Sequence, residues 1–272
     1  VGSAENDPIT QLSGQLGAIA DFANLAAALL GRRGGDTREA SRMRSAIAGI
    51  IAERAYTTVF QPIVDLVSGR SIGSEALTRF NDRIPPDVRF ANAGAVGMGL
   101  DLEAATLEAA LTAASVLSQS RFLHLNVSPA FVTARTELRR LLSGNRARIV
   151  LEVTEHAAVS DYLDFRDAIE SIGRPVLLAV DDAGAGFASF RHILELRPAF
   201  IKLDVSLVRG IDADPAKQAL VAGMRHFARM TNRRLIAEGV ETEAEAATLR
   251  MLEIRLGQGY LFGRPAPLAA TS

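Results

Sequence analysis

Acidic residues recur at the ends of short apolar runs in this sequence. The run VLLAV closes on Asp181 and Asp182, FIKLD carries Lys202 and closes on Asp204, and RLIA delivers Glu238. Upstream, SEALTRF holds Glu75 and Arg79, RFLHLNV ends at Asn126 and Val127, and ARIVLEV carries Glu152 with Glu155 just beyond. Gathered in one place with Gln258, the six carboxylates of Glu75, Glu152, Asp181, Asp182, Asp204 and Glu238 would repel each other unless cations met them. Oxygen ligands of this kind suit Mg²⁺ or Mn²⁺, and the set is large enough for two ions. Two ions roughly 4 Å apart suit hydrolysis of a phosphodiester, since one activates water while both neutralise charge on the phosphorus oxygens.

Each residue also has an ordinary structural reading. Lys202 fits a snorkelling strand-end lysine, Asn126 a turn former before Ser128-Pro129, and Glu238 a solvated charge. As a set they favour a site. The four histidines (His124, His156, His192, His226) lack ligand spacing and read as structural or surface residues, with His124 partly buried and hydrogen-bonded.

The elements that must position these groups follow from periodicity. Tyr56 to Leu66 and Ser71 to Phe80 are strand-like and separated by Val67-Ser68-Gly69-Arg70, which predicts an antiparallel hairpin. Strands are expected at Arg121–Val127, Ala147–Val153, Val176–Asp182, near Ile201–Asp204 and at Arg234–Ala237. Helices are expected at Ala104–Leu117, Tyr162–Ile172, Pro215–Met230 and Glu243–Leu252, and between Gly186 and Leu196. This alternation predicts one parallel α/β domain, and the number of units favours a closed barrel over an open sheet.

At 272 residues and 48% hydrophobic, the chain can bury a full core. Lys+Arg 30 against Asp+Glu 31 gives a net charge of -1, which argues against a nucleic acid polymer or an anionic membrane as partner. Without cysteine there is no disulfide, thiolate ligand or thiol nucleophile, and the composition fits a cytoplasmic location. The Leu16–Leu30 stretch contains Asp21 and Asn24 and is too short for a membrane span. Leu12, Leu16, Ile19, Ala23, Ala26 and Leu30 form a heptad seam, which suits either a homodimer contact or packing on the same domain. The start at Val1 reads as a piece of a longer protein, with an upstream sensory domain expected. Residues 1–54 are expected to form a helical linker and residues 55–272 the barrel domain.

In order, SEALTRF, LNVSP, LEVTE, VDDAGAG, IKLD, IAEGVET and GQGYLFGRP resemble the EAL-domain cyclic-di-GMP phosphodiesterase family over about residues 56 to 265. The resemblance implies a TIM-type (β/α)8 barrel whose first strand runs antiparallel to the second. It implies one Mg²⁺ or Mn²⁺ on Glu75, Asn126, Glu152 and Asp181, and a second approached by Asp181, Asp182 and Glu238. Lys202 would orient the attacking water, with Asp204 nearby and Glu238 as base. Arg79 would meet a substrate phosphate, Gln61 and Gln258 would line the pocket, and Glu155 would anchor the loop after Asp182. The implied reaction opens cyclic di-GMP to linear pGpG; the alternative is a catalytically silent cyclic-di-GMP receptor. One departure stands out: the family's DDFGTG loop is DDAGAG here, with Ala183 and Ala185 in place of Phe and Thr.

Overall fold

The computed structural model describes residues 38–117, 121–143, 148–154, 159, 161–172, 175–183 and 187–268. Eight strands close into a barrel in chain order: β1 (Tyr56–Asp65), β2 (Ser71–Phe80), β3 (Phe122–Asn126), β4 (Arg148–Thr154), β5 (Leu177–Ala183), β6 (Phe200–Leu203), β7 (Arg234–Ala237) and β8 (Leu256–Gln258). β1 runs antiparallel to both neighbours, β2 and β8, and every other pairing is parallel. The anticipated hairpin and alternation therefore form a TIM-type barrel with a reversed first strand.

Helices cover the outside: α1 (residues 38–52), α2 (Pro86–Ala95), α3 (Gly99–Ala113), α4 (Pro129–Thr133), α5 (Thr136–Leu142), α6 (Tyr162–Glu170), α7 (Phe187–Leu196), α8 (Val205–Val208), α9 (Pro215–Met230) and α10 (Glu243–Met251). α9 starts as its sequence dictates: Pro215 occupies the first turn and the Asp214 carboxylate accepts from the Ala216 and Lys217 amides. α3 begins at Gly99, five residues before the apolar periodicity that marked it, and the short helices α4, α5 and α8 leave too few turns for a periodic signal; α2 was not anticipated.

Along each strand alternate residues point into the barrel. Ile63, Phe122, Val150, Ala179, Phe200, Ile236 and Leu256 fill its lower interior as one apolar layer. A step of two along β3, β4, β6, β7 and β8 then reaches His124, Glu152, Lys202, Glu238 and Gln258 one layer higher. The larger core lies between barrel and helices. Gly73 is the close approach of β2 to β3, where an added Cβ would come within 2.5 Å of Phe122 O.

α1 is packed on the barrel. Ile47 and Ile50 are buried with Tyr56, Phe80, Ala93 and Leu102. The anticipated boundary between residues 54 and 55 separates α1 from β1, although the core runs across it. The heptad seam of residues 12–30 lies outside the described residues. Among the described residues, no helix is long and apolar enough to cross a membrane.

Candidate active site

Lys202 is at the centre of the upper barrel. Its Nζ lies 2.7 Å from Glu238, 2.8 Å from Glu152, 3.2 Å from Asp181 and 3.3 Å from Glu75, and its side chain is 1% exposed. Glu75 also accepts from Asn126 Nδ2 at 2.8 Å and from Gln258 Nε2 at 2.7 Å. The Gln258 amide also donates to Gln61 Oε1 at 3.1 Å. Gln61 faces Glu75 across the β1–β2 ladder, so barrel closure brings both ends of the chain to one carboxylate.

Asp181 and Asp182 are adjacent, and in a regular strand their side chains would face opposite ways. A bulge in β5, where Val180 pairs with Ile201 but Ala183 with Leu203, inserts one extra residue. Asp182 takes the left-handed conformation at φ 57°, which Asp tolerates better than most side chains. Both carboxylates consequently join Glu238 within 4.8 Å. A second group, Glu75, Glu152 and Asp181, satisfies the same limit and shares Asp181 with the first.

The electrostatics report an excess of negative charge. Burial alone would raise the Glu75 carboxyl, but Lys202 and the Asn126 and Gln258 hydrogen bonds bring it down to about 2. Burial, then the Glu75 charge, push Glu152 well above the usual carboxylate range. Burial, reinforced by Asp181 and Glu75, raises Glu238 to about 8 despite Lys202. The Lys202 ammonium is lifted well above its ordinary value, its four acids outweighing burial. Among the described residues, one ammonium meets four of these acids, and the donor set is all oxygen with Asn126 alongside. These residues fit hard divalent cations.

The other anticipated residues fall in different places. Asp204 belongs to neither carboxylate group; its Oδ1 accepts from Ser206 N at 2.8 Å and caps α8. Arg79 is exposed, donates to Thr78 O at 2.9 Å, and lines a cavity of about 430 Å³ shared with Asn126, Glu152, Phe90 and Leu107. Glu155 and the loop residue Ala185 lie outside the described residues. Ala183, which the resemblance assigned to that loop, is the last residue of β5 and completely buried.

His124 was anticipated as a partly buried, hydrogen-bonded histidine, and Glu103 alone escaped the sequence reading. His124 is wholly buried, beyond the partial burial expected, and its Nδ1 lies 2.6 Å from Glu152 Oε1. Burial and then the Lys202 charge drive its pKa down to about 3, so the ring is neutral. Its alternation with Asn126 along β3 was the available signal. Glu103, in the Ala-rich helix α3, accepts from Ser128 N at 2.6 Å and Ser128 Oγ at 2.7 Å, fixing the turn that follows Asn126. Burial raises its carboxyl in spite of both bonds. Beyond β7, Gly239 at φ 65° turns the chain, and Glu245 accepts from the Gly210, Glu241 and Thr242 amides to hold the Glu238–Thr242 segment.

A closed barrel with a reversed first strand and a mouth of paired carboxylate groups defines a class of α/β barrel proteins with a metal-competent centre. The chain belongs to the EAL domain family, whose model matches residues 42–265. It is 30% identical over 229 residues to the probable cyclic di-GMP phosphodiesterase PdeD of Escherichia coli (strain K12), covering 80% of this chain and 43% of that protein. It is 27% identical over 237 residues to the cyclic di-GMP phosphodiesterase PdeL of the same organism, covering 82% and 66%. It thus spans less than half of PdeD and about two thirds of PdeL. Among solved structures, the Klebsiella pneumoniae BlrP1 calcium/cy-diGMP complex aligns with TM-score 0.70 and 30% identity, over 78% of this chain and 56% of that one.

Proposed function

We propose that this domain hydrolyses cyclic di-GMP to linear pGpG with Mg²⁺ or Mn²⁺ bound at the barrel mouth. The observation that carries the proposal is the pair of carboxylate groups joined through Asp181. Relatives that bear the phosphodiesterase name, and a BlrP1 structure holding calcium and cy-diGMP, support the same reading. Glu75, Asn126, Glu152 and Asp181 would hold one ion, and Asp181, Asp182 and Glu238 the other. Bound there, divalent cations lower the pKa of water and neutralise the phosphorus oxygens.

The chain's own groups do the rest. Lys202 is locked by four acids, so its ammonium is a fixed positive charge that would orient the attacking water. Glu238, 18% exposed and 2.7 Å from Lys202 Nζ, would take a proton from that water once its own carboxylate is ionised. Water oxygen bonds to phosphorus, one ring P–O bond breaks, and the departing ribose oxygen gains a proton. Asp204 would act from nearby, Arg79 would bind a substrate phosphate, and Gln61 and Gln258 would line the pocket while fixing Glu75. The full-length protein would act in bacterial second-messenger signalling as a homodimer, under an upstream sensory domain.

A receptor that binds cyclic di-GMP without turnover is the second reading, favoured by the small residue at buried Ala183. Purified protein incubated with cyclic di-GMP and Mn²⁺ or Mg²⁺ should release pGpG, and Ca²⁺ should support binding with little turnover because its longer, looser coordination does not hold water and phosphate in line. Binding without pGpG in Mn²⁺ and Mg²⁺ would select the receptor; no binding would reject both readings.

A further inference from the structure

The base of the barrel, at the N-terminal ends of the strands and opposite the carboxylates, opens into a cavity of about 880 Å³. Its lining includes seven arginines (70, 121, 225, 229, 233, 234 and 255) against two acids, Asp65 and Glu253. The formal charge is therefore +5 in a chain whose net charge is -1. Each acid is already matched: Arg255 Nε meets Asp65 at 2.6 Å and Arg225 meets Glu253 at 2.7 Å. Among the described residues, Arg70, Arg121, Arg229, Arg233 and Arg234 make no ion pair.

Packing holds part of this cluster in place. The Arg234 guanidinium stacks 4.3 Å from the Phe200 ring centroid and 5.3 Å from that of Phe122, and Arg148 covers Phe122 at 4.2 Å. Stacking occupies the guanidinium faces and leaves their N–H edges free, the geometry that meets phosphate oxygens in pairs. Arg121 donates to Ser71 Oγ at 3.4 Å, which ties it to the start of β2. Like charges brought together without a counter-charge raise the energy of the apoprotein, and a polyanion would relieve it.

We propose that this cavity is a second ligand site, distinct from the carboxylate mouth, that takes a small phosphorylated anion of nucleotide size. Its volume lies in the range of ordinary small-molecule pockets. Its charge is concave and confined to one end of the barrel, whereas a nucleic acid duplex needs an extended basic stripe.

Isothermal titration of the 272-residue protein in EDTA, where the mouth lacks cations to hold an anion, tests this with tripolyphosphate and ATP as probes. One-site binding is expected, weakened at least tenfold in Arg229→Ala/Arg233→Ala and in Arg234→Lys, and unchanged in Glu75→Gln. Equal affinity for the two probes would assign the site to free polyphosphate, and tighter ATP binding would assign it to a nucleotide; both bear the proposal out. Circular dichroism and urea midpoints of the variants establish that they are folded, and Arg234→Lys retains the charge should the double variant fail. No saturable binding, binding undiminished in folded variants, or a short DNA duplex that binds more tightly than ATP through these arginines would overturn it.

Discussion

Lys202 Nζ lies 2.8 Å from Glu152 Oε2, and both side chains are sealed from solvent. The pair is the electrostatic centre of the site, since Glu75, Asp181 and Glu238 converge on the same nitrogen. Removing one partner of a buried ion pair costs about 3–5 kcal/mol because the other charge is left uncompensated. Lys202→Met should therefore destabilise the protein by roughly that amount in EDTA, with part of the loss recovered in Mn²⁺. Turnover should fall at least tenfold with substrate affinity little changed. Urea unfolding with and without Mn²⁺, and steady-state kinetics, check both; lost affinity at unchanged kcat would reassign Lys202 to substrate binding.

Asp182→Asn separates charge from backbone. Asn accepts the left-handed φ of 57° as readily as Asp, so the bulge should persist while one carboxylate leaves a crowded acidic cluster. The variant should gain less stability from Mn²⁺ than the parent does. Melting temperatures across a Mn²⁺ titration measure this, and a variant that responds to Mn²⁺ like the parent would remove Asp182 from the metal site.

Glu103 holds Asn126 indirectly. Glu103→Ala leaves the Ser128 amide and hydroxyl without their acceptor and should cost about 1–3 kcal/mol. It should also lower turnover about 10- to 100-fold by loosening the residue that hydrogen-bonds Glu75. Glu103→Gln, which keeps one acceptor oxygen, should recover part of both. Unfolding midpoints and pGpG formation report the two effects.

Asp65, at the end of β1, governs part of the acid stability. Its Arg255 partner, then the Ser68 and Val67 amides, hold its carboxyl at about 2, below the ordinary 3.8. A depressed carboxyl stabilises the fold above its unfolded pKa, so this contribution is complete near neutral pH and is lost as pH falls from about 4 toward about 2. Because Arg255 is 76% exposed and screened, we expect Asp65→Asn to cost about 1 kcal/mol at pH 7. The difference from the parent should vanish at the acid end. Denaturation curves between pH 7 and 2.5 check it, and a gap that widens as the pH falls would contradict it.

Glu75, Glu152, Lys202, Glu238 and Gln258 were legible as strand-end residues because barrel strands alternate with a period of two, a local property of sequence. The reversed first strand was legible in a short turn between two apolar runs. Other features depend on contacts between distant segments. Nothing local signals the β5 bulge that turns Asp181 and Asp182 to one side, because it is set by pairing with β6, some twenty residues downstream. Glu103 reads as a solvated position on an Ala-rich helix until α3 is laid against the turn at Ser128. His124 becomes a neutral, buried partner of Glu152 only when β3 and β4 align in register. The arginines at the barrel base are spread from Arg70 to Arg255, and barrel closure alone gathers them around one cavity. Sequence determined which residues could do chemistry and roughly at which strand ends, because side-chain type and alternation are local. Tertiary structure decided which of them share a charge, a proton or a cation, because register, bulges and closure arise from pairing between remote parts of the chain.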